Sequence, residues 1–301
     1  MENFAEKIEA LKRKKNAVLL AHNYQIEEVQ LIADYLGDSL DLSRKAAEVE
    51  HDMIVFAGVK FMAETAKVLS PRKKVLLPRF DAGCPMADMI TLEELLDLKA
   101  EYKAAKVVTY VNSSVEIKAE SDVCCTSANA VQVVKNIDTR EVIFLPDQNL
   151  GSYVQSKVPE KKIILFEGYC YVHNRIKSHE IEEMKKQYPE AKVIVHPEVR
   201  MEVIEIADEV LSTSQMLRYV NQSPGRQFIV ATEQGLLQRM KREHPDKIFL
   251  PALKPRICSN MKRTSLRDVY DSLNEEKYEI VIEESVSRKA FIALDKMLQY
   301  A

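Results

Sequence analysis

The sequence predicts a parallel α/β protein in which three similar units surround a pseudo-threefold axis. Apolar runs of strand length alternate with amphipathic segments of helical period, the pattern of parallel sheets covered by helices. The chain also matches itself when slid by 88 and then by 86 residues, which marks three copies of one plan. No Gly/Ser-rich linker separates the copies, and glycine occurs only seven times in 301 residues, so the three are expected to form one rigid body.

Residues 2–14 carry Phe4, Ile8 and Leu11 at helical spacing. AVLLA then reads as a buried parallel strand, and the polar stretch His22-Asn23-Tyr24-Gln25 leads into a helix with Val29, Ile32, Ala33 and Leu36 on one face. A short strand delivers Asp38 and Ser39, with Ser39 expected to N-cap the helix DLSRKAAEVE. The strand MIVFAG, the helix around FMAETAKVL and the strand KVLLP follow, then the loop RFDAGCP and a helix from Thr91 to about Ala104. The second unit repeats this plan from Val107 to Cys170, and the third from Val193 to Cys258. Beyond Cys258, SLRDVYDSLNEE reads as a helix, YEIVIEE as a strand and SRKAFIALDKMLQY as a terminal helix. The expected boundaries are 1–86, 87–173 and 174–261, with a tail, 262–301, packing on the first unit.

The internal register singles out residues. His22 at the end of AVLLAH falls on Tyr110 and then on His196; Tyr24 falls on Asn112 and Glu198; Ser39 falls on Ser127 and Thr213. Each hydroxyl ends a short Asp-led segment, DYLGDS, DVCCTS or DEVLST. Cys84, Cys170 and Cys258 stand at matching places, 86 and 88 residues apart. In parallel sheets the loops beyond the carboxyl ends of the strands form the ligand crevice. Three units around one axis would therefore gather these residues into rings.

Composition excludes several classes. A formal charge of −3 and a pI near 6.2 give no nucleic-acid footprint. The N-terminus is charged and amphipathic rather than a signal peptide, and the apolar runs are too short to span a bilayer, so a cytoplasmic protein is expected. Five widely spaced cysteines do not form a disulfide framework. Neither a glycine-rich dinucleotide fingerprint nor a Walker loop is present.

Three cysteines brought to one point suit a soft or borderline metal. A cubane iron–sulfur cluster on three thiolates leaves one iron open for substrate, while a structural zinc completed by His173, three residues after Cys170, has equally suitable spacing. Buried thiols without metal are a third reading, and the natural one for Cys124 and Cys125, which have no counterparts in the other copies. Ser39, Ser127 and Thr213 each open an expected helix, where free N–H groups favour anions. Tyr24 and Glu198 follow His22 and His196 by two residues, which on extended backbone places each pair on one side. Together these residues offer carboxylate donors and proton-transfer groups. Met62 opens a helix beside the crevice and is expected to pack; His51, His179 and His244 lie in charged stretches and read as surface residues.

LLAHNYQ, IADYLGDSL, FAGVKFMAETAKVL, CPMAD, YVNSS, TSANA, HPE, STSQM and ICSNMK, in that order, resemble the quinolinate synthase family over nearly the whole chain. The resemblance implies three αβα three-layer units with a central active site and a [4Fe–4S] cluster on Cys84, Cys170 and Cys258. It implies condensation of iminoaspartate with dihydroxyacetone phosphate to quinolinate, with loss of phosphate and water, in de novo NAD biosynthesis. It further implies substrate binding by His22, Ser39, Tyr110, Asn112, Ser127, His196, Glu198 and Thr213. The iron without a cysteine is expected to act as a Lewis acid, and Tyr24 and Glu198 to move protons beside His22, His196 and Tyr110. An aspartate oxidase or dehydrogenase is expected to supply iminoaspartate on pathway grounds. Ser214 replaces a glycine frequent in the family, and no second cysteine near Cys258 offers a disulfide switch. The competing readings are another cluster-dependent hydro-lyase and a zinc-stabilised scaffold.

Overall fold

The computed structural model describes residues 3–300; Met1, Glu2 and Ala301, which the expected unit boundaries include, lie outside the described residues. Three four-stranded parallel sheets carry the fold. The first holds β1 (Ala17–His22), β2 (Tyr35–Gly37), β3 (Met53–Ala57) and β4 (Lys74–Leu76). The second holds β5 (Lys106–Tyr110), β6 (Val123–Cys125), β7 (Glu141–Leu145) and β8 (Lys162–Leu165); the third holds β9 (Lys192–Val195), β10 (Glu209–Val210), β11 (Gln227–Ala231) and β12 (Ile248–Pro251). All three share one strand order: β2-β1-β3-β4, β6-β5-β7-β8 and β10-β9-β11-β12. The internal repeat of the sequence is a repeat of topology.

The Asp-led segments owe their recurrence to a shared lock. Asp34, Asp122 and Asp208 each stand just before the short second strand of their sheet. Their carboxylates accept the N–H groups of Leu19, Val107 and Val193 at 2.7, 2.8 and 2.8 Å. Their own N–H groups return to the carbonyls of the same three residues at 3.0, 3.0 and 2.9 Å. A lysine closes each corner: Lys12, Lys106 and Lys192 lie 2.7, 2.9 and 3.0 Å from the respective carboxylates. A two-way clamp of this kind fixes the register of the edge strand, and with it the hydroxyl that follows.

The strands are continuous apolar runs because both faces of each sheet are covered. Alternate residues divide cleanly. Val18, Leu20, Ile54 and Phe56 of the first sheet, Val108, Val142 and Phe144 of the second, and Ile194, Phe228 and Val230 of the third belong to one shared core. Their neighbours Leu19 and Val55, Val107 and Ile143, and Val193 and Ile229 belong to three separate outer clusters. Each buried large side chain contributes about 1.5–3 kcal/mol, so the common inner core binds the three αβα units into one body. Among the described residues no helix is long and apolar enough to cross a membrane.

Several local expectations change. Asp38, not Ser39, caps the helix Ser39–Glu48, its carboxylate accepting from the N–H groups of Leu40 and Asp41 at 3.0 Å each. Ser212 caps Thr213–Gln222 in the same way, and Ser127 lies in a turn ahead of Ala130–Asn136, whose N-cap is Asn129. In all three units the hydroxyl is thus released from capping. Helix Leu92–Glu101 is slightly shorter than expected. YEIVIEE forms no strand: Tyr278 adopts φ 64°, and only Leu77 N–H to Tyr278 O (3.1 Å) and Ile280 N–H to Val75 O (2.8 Å) tie it to the sheet edge. In the tail, Leu266–Glu275 packs on the N-terminal helix Phe4–Lys14. The last helix, Glu284–Gln299, lies across two units, against Lys60–Leu69 and against Val115–Ala119 with β6.

Candidate active site

One cavity, enclosing about 730 Å³ of non-atom space with its mouth included, lies where the carboxyl ends of the three sheets converge. Each unit contributes four of the residues picked out by the repeat: His22, Tyr24, Ser39 and Cys84; Tyr110, Asn112, Ser127 and Cys170; His196, Glu198, Thr213 and Cys258. Asp38, Phe61, Tyr171, His173 and Met261 line it as well. Met62 is packed in the core, and Cys124 and Cys125 are fully buried on β6. Of the three histidines expected at the surface, His179 is exposed, while His51 and His244 are half-buried.

Equivalent strand ends are built alike. Beyond β1 the Tyr24 N–H donates to His22 Nδ1 at 3.2 Å, and beyond β9 the Glu198 N–H donates to His196 Nδ1 at 3.4 Å. The His22 and Tyr24 rings meet edge to face with centroids 4.6 Å apart. In the second unit Ser113 Oγ holds the Tyr110 carbonyl at 3.1 Å, and the buried Asn112 Oδ1 has no partner. A buried amide oxygen is seldom left unpaired, and this one lines the cavity, where water or a ligand donor can reach it. Thr213 Oγ1 accepts from Asn23 Nδ2 at 2.9 Å, and Ser214 binds Asp41 and the Asp38 N–H, joining the first and third units beside the cavity.

His173 connects most of the reactive groups. Its Nδ1 is 2.6 Å from Glu198 Oε2 and 3.3 Å from Cys170 Sγ. Its Nε2 is 2.9 Å from Thr232 Oγ1 and 3.3 Å from the Tyr24 hydroxyl, which itself lies 2.7 Å from Thr232 Oγ1. The His173 ring stacks on His196 with centroids 4.5 Å apart. Thr232 escaped sequence reasoning altogether: its register counterparts are Gly58 and Pro146, so no repeat of chemistry exposes it. His173 carried a signal, the CYVH spacing, but one that pointed to zinc.

Burial governs the electrostatics. It lowers His22 and His196 to about 3 despite the opposing pull of Glu198, so both imidazoles are neutral near pH 7. Burial, reinforced by Glu198, raises the Tyr24 and Tyr110 phenols well above their ordinary value. Glu198 goes the other way: burial would raise its carboxyl, but His173 beside it, with hydrogen bonds from His173 and Tyr110, holds it low. The cavity thus sets a stable carboxylate among phenols that keep their protons.

The three thiols are free and unpaired with one another. Burial pushes Cys84 up to about 12 and raises Cys170 and Cys258, so a bound metal rather than the surrounding protein would be needed to make them thiolates. Among the described residues, the one group able to hold a metal with its ligand atoms within 4.8 Å of one another is Cys170, His173 and Glu198. Cys84 and Cys258 line the same cavity from the first and third units.

A family model described as Quinolinate synthetase A protein, NadA, matches residues 6–299. The chain belongs to the quinolinate synthase family. It is 51% identical over 297 residues to the quinolinate synthase of Alkaliphilus metalliredigens, covering 99% of this chain and 98% of that one. It is 54% identical over 298 residues to the quinolinate synthase of Clostridium acetobutylicum, with 99% and 98% covered. The quinolinate synthase of Thermodesulfovibrio yellowstonii is 52% identical over 293 residues, 97% of each chain. The three parallel sheets accord with the architecture that the quinolinate synthase resemblance implied, and the family and the Cys170–His173–Glu198 group both point to metal binding.

Proposed function

We propose that this protein is a quinolinate synthase of de novo NAD biosynthesis, working in the cytoplasm, that condenses iminoaspartate with dihydroxyacetone phosphate and releases phosphate and two waters. The observation that carries the reading is the convergence, on one cavity, of three register-matched residues and one cysteine from each of three units, in a chain of this family. Neutral His22 and His196 and the unpartnered Asn112 are suited to orient the polar groups of a dicarboxylate. Ser39 and Thr213, freed from capping by Asp38 and Ser212, line the cavity and can donate to a carboxylate. Glu198, held ionised, is the base; Tyr24, whose phenol keeps its proton, is the acid, with Thr232 and His173 fixing its orientation. Tyr110 steadies the Glu198 carboxylate and Ser127 the Tyr110 phenol.

Cys84, Cys170 and Cys258 are the residues that would hold the cluster. Three soft donors on loops of three units, all lining one cavity, fit it, because cysteine thiolates are the donors that iron–sulfur clusters take. When bound, a [4Fe–4S] cluster with one cysteine-free iron supplies Lewis acidity for loss of hydroxide. A second reading, a mononuclear metal on Cys170, His173 and Glu198, is favoured by their close approach, although His173 is also engaged by Thr232 and Tyr24. Iminoaspartate would come from an aspartate oxidase or dehydrogenase. The activity test is anaerobic incubation of the iron-loaded protein with dihydroxyacetone phosphate and iminoaspartate generated in place. Quinolinate is expected by chromatography; a fully loaded protein that forms none would redirect the site to another hydro-lyase.

A further inference from the structure

Asp147 and Glu233 are buried carboxylates, both with no exposed surface, and neither lines the cavity. They occupy the same place in the second and third units, four residues beyond the register pair Ile143 and Ile229. The next residue in each case clamps the cysteine loop: Gln148 N–H donates to Gly168 O and Gln234 N–H to Arg256 O, both at 2.8 Å, two residues before the cysteine. The first unit has the same clamp, Lys60 N–H to Ala82 O at 2.8 Å, but Val59 stands where the carboxylate would be.

The carboxylates add a second tie to each loop. Asp147 Oδ2 accepts the Cys170 N–H at 3.0 Å while its Oδ1 accepts the Leu150 N–H at 2.7 Å. Glu233 Oε1 accepts the Cys258 N–H at 3.2 Å, its Oε2 accepts the Gly235 N–H at 2.6 Å, and Lys262 lies 3.2 Å away. Burying a carboxylate costs several kcal/mol unless its oxygens are bonded, and here each of the four is spent on backbone. A helix cap alone would need one oxygen and no burial. The recurrence of the second oxygen on a cysteine N–H, in the two units that have a carboxylate, is what capping leaves unexplained.

We propose that Asp147 and Glu233 are positioning residues that hold Cys170 and Cys258 in cluster-ready geometry. This rests on the reading of those cysteines as cluster ligands. Asparagine caps a helix as well as aspartate does, but it has one acceptor oxygen, and its NH₂ group cannot accept from the Cys170 N–H. Asp147→Asn therefore removes the cysteine tie and keeps the helix start. Outer partners of metal ligands typically change metal affinity roughly 10- to 100-fold.

The test uses anaerobically prepared full-length protein, with iron and acid-labile sulfide measured first and the decay of visible absorption then followed in an iron(II) chelator. Asp147→Asn and Glu233→Gln should lose iron about 10-fold faster than wild type. Glu233→Asp, which gives the third unit the carboxylate of the second, should lose it close to the wild-type rate. If Asp147→Asn does not fold, Asp147→Ser keeps the cap without the reach to Cys170 and should be equally labile. Wild-type decay rates in the amide variants, or a Glu233→Asp protein as labile as Glu233→Gln, would overturn the inference. A wild-type protein without iron and sulfide would instead overturn the ligand reading beneath it.

Discussion

His173 Nδ1 lies 2.6 Å from Glu198 Oε2, both side chains being almost completely buried, and the same imidazole reaches Thr232 and Tyr24 through Nε2. A carboxylate and a phenol from different units are thereby held through one ring. Thr232 Oγ1, 2.7 Å from the Tyr24 hydroxyl, completes the arrangement without lining the cavity. Losing one such buried hydrogen bond costs about 1–3 kcal/mol. Thr232→Val should accordingly lower quinolinate turnover roughly 10-fold, with Thr232→Ser close to wild type. Equal turnover in the Val and wild-type proteins would remove Thr232 from the site.

Tyr24→Phe keeps the ring against His22 and removes the proton donor. Turnover should fall by roughly 10²–10⁴ while iron and sulfide content stay unchanged. Full activity would exclude Tyr24 from proton transfer; lost iron would make its role structural.

Neutral His22 and His196 give stability a defined pH dependence. Their folded values are near 3 and the ordinary value is 6.5, so the unfolded chain takes up protons that the folded chain refuses. Stability is therefore undiminished above pH 6.5 and falls as pH drops from there towards 3, by an amount on the order of 5 kcal/mol per histidine. Urea midpoints measured from pH 7.5 down to 5 should decline, and His196→Asn should decline less. Parallel slopes for the two proteins would contradict the burial argument.

Asp122→Ala would remove the carboxylate that holds the Val107 N–H at 2.8 Å and pairs with Lys106 at 2.9 Å. The corner between β5 and β6 would lose about 1–3 kcal/mol, seen as a lower thermal midpoint. An unchanged midpoint would show that the strand pairing alone sets the corner.

The repeat is legible in sequence because strand ends, hydroxyls and cysteines recur at fixed offsets, and the positions it brings out, from His22 to Cys258, line one cavity. Register cannot reveal a residue that only one unit carries. Thr232 is such a case, opposite Gly58 and Pro146, and His173 is another. Caps escaped for a different reason. Asp38 and Ser39 are both good capping residues, and only backbone geometry decides which side chain turns back on the helix. YEIVIEE has strand composition, but a left-handed turn at Tyr278 and the helix beginning at Glu284 leave it room for a single bridge to Leu76 rather than a strand.

The most direct measurement is iron, zinc and acid-labile sulfide content of anaerobically prepared wild-type protein beside Cys84→Ser, Cys170→Ser and Cys258→Ser. The account predicts four irons and four sulfides per wild-type chain, with a brown visible spectrum, and little of either in the three variants. Colourless wild-type protein carrying one zinc and no sulfide, or serine variants with full iron and sulfide, would contradict it.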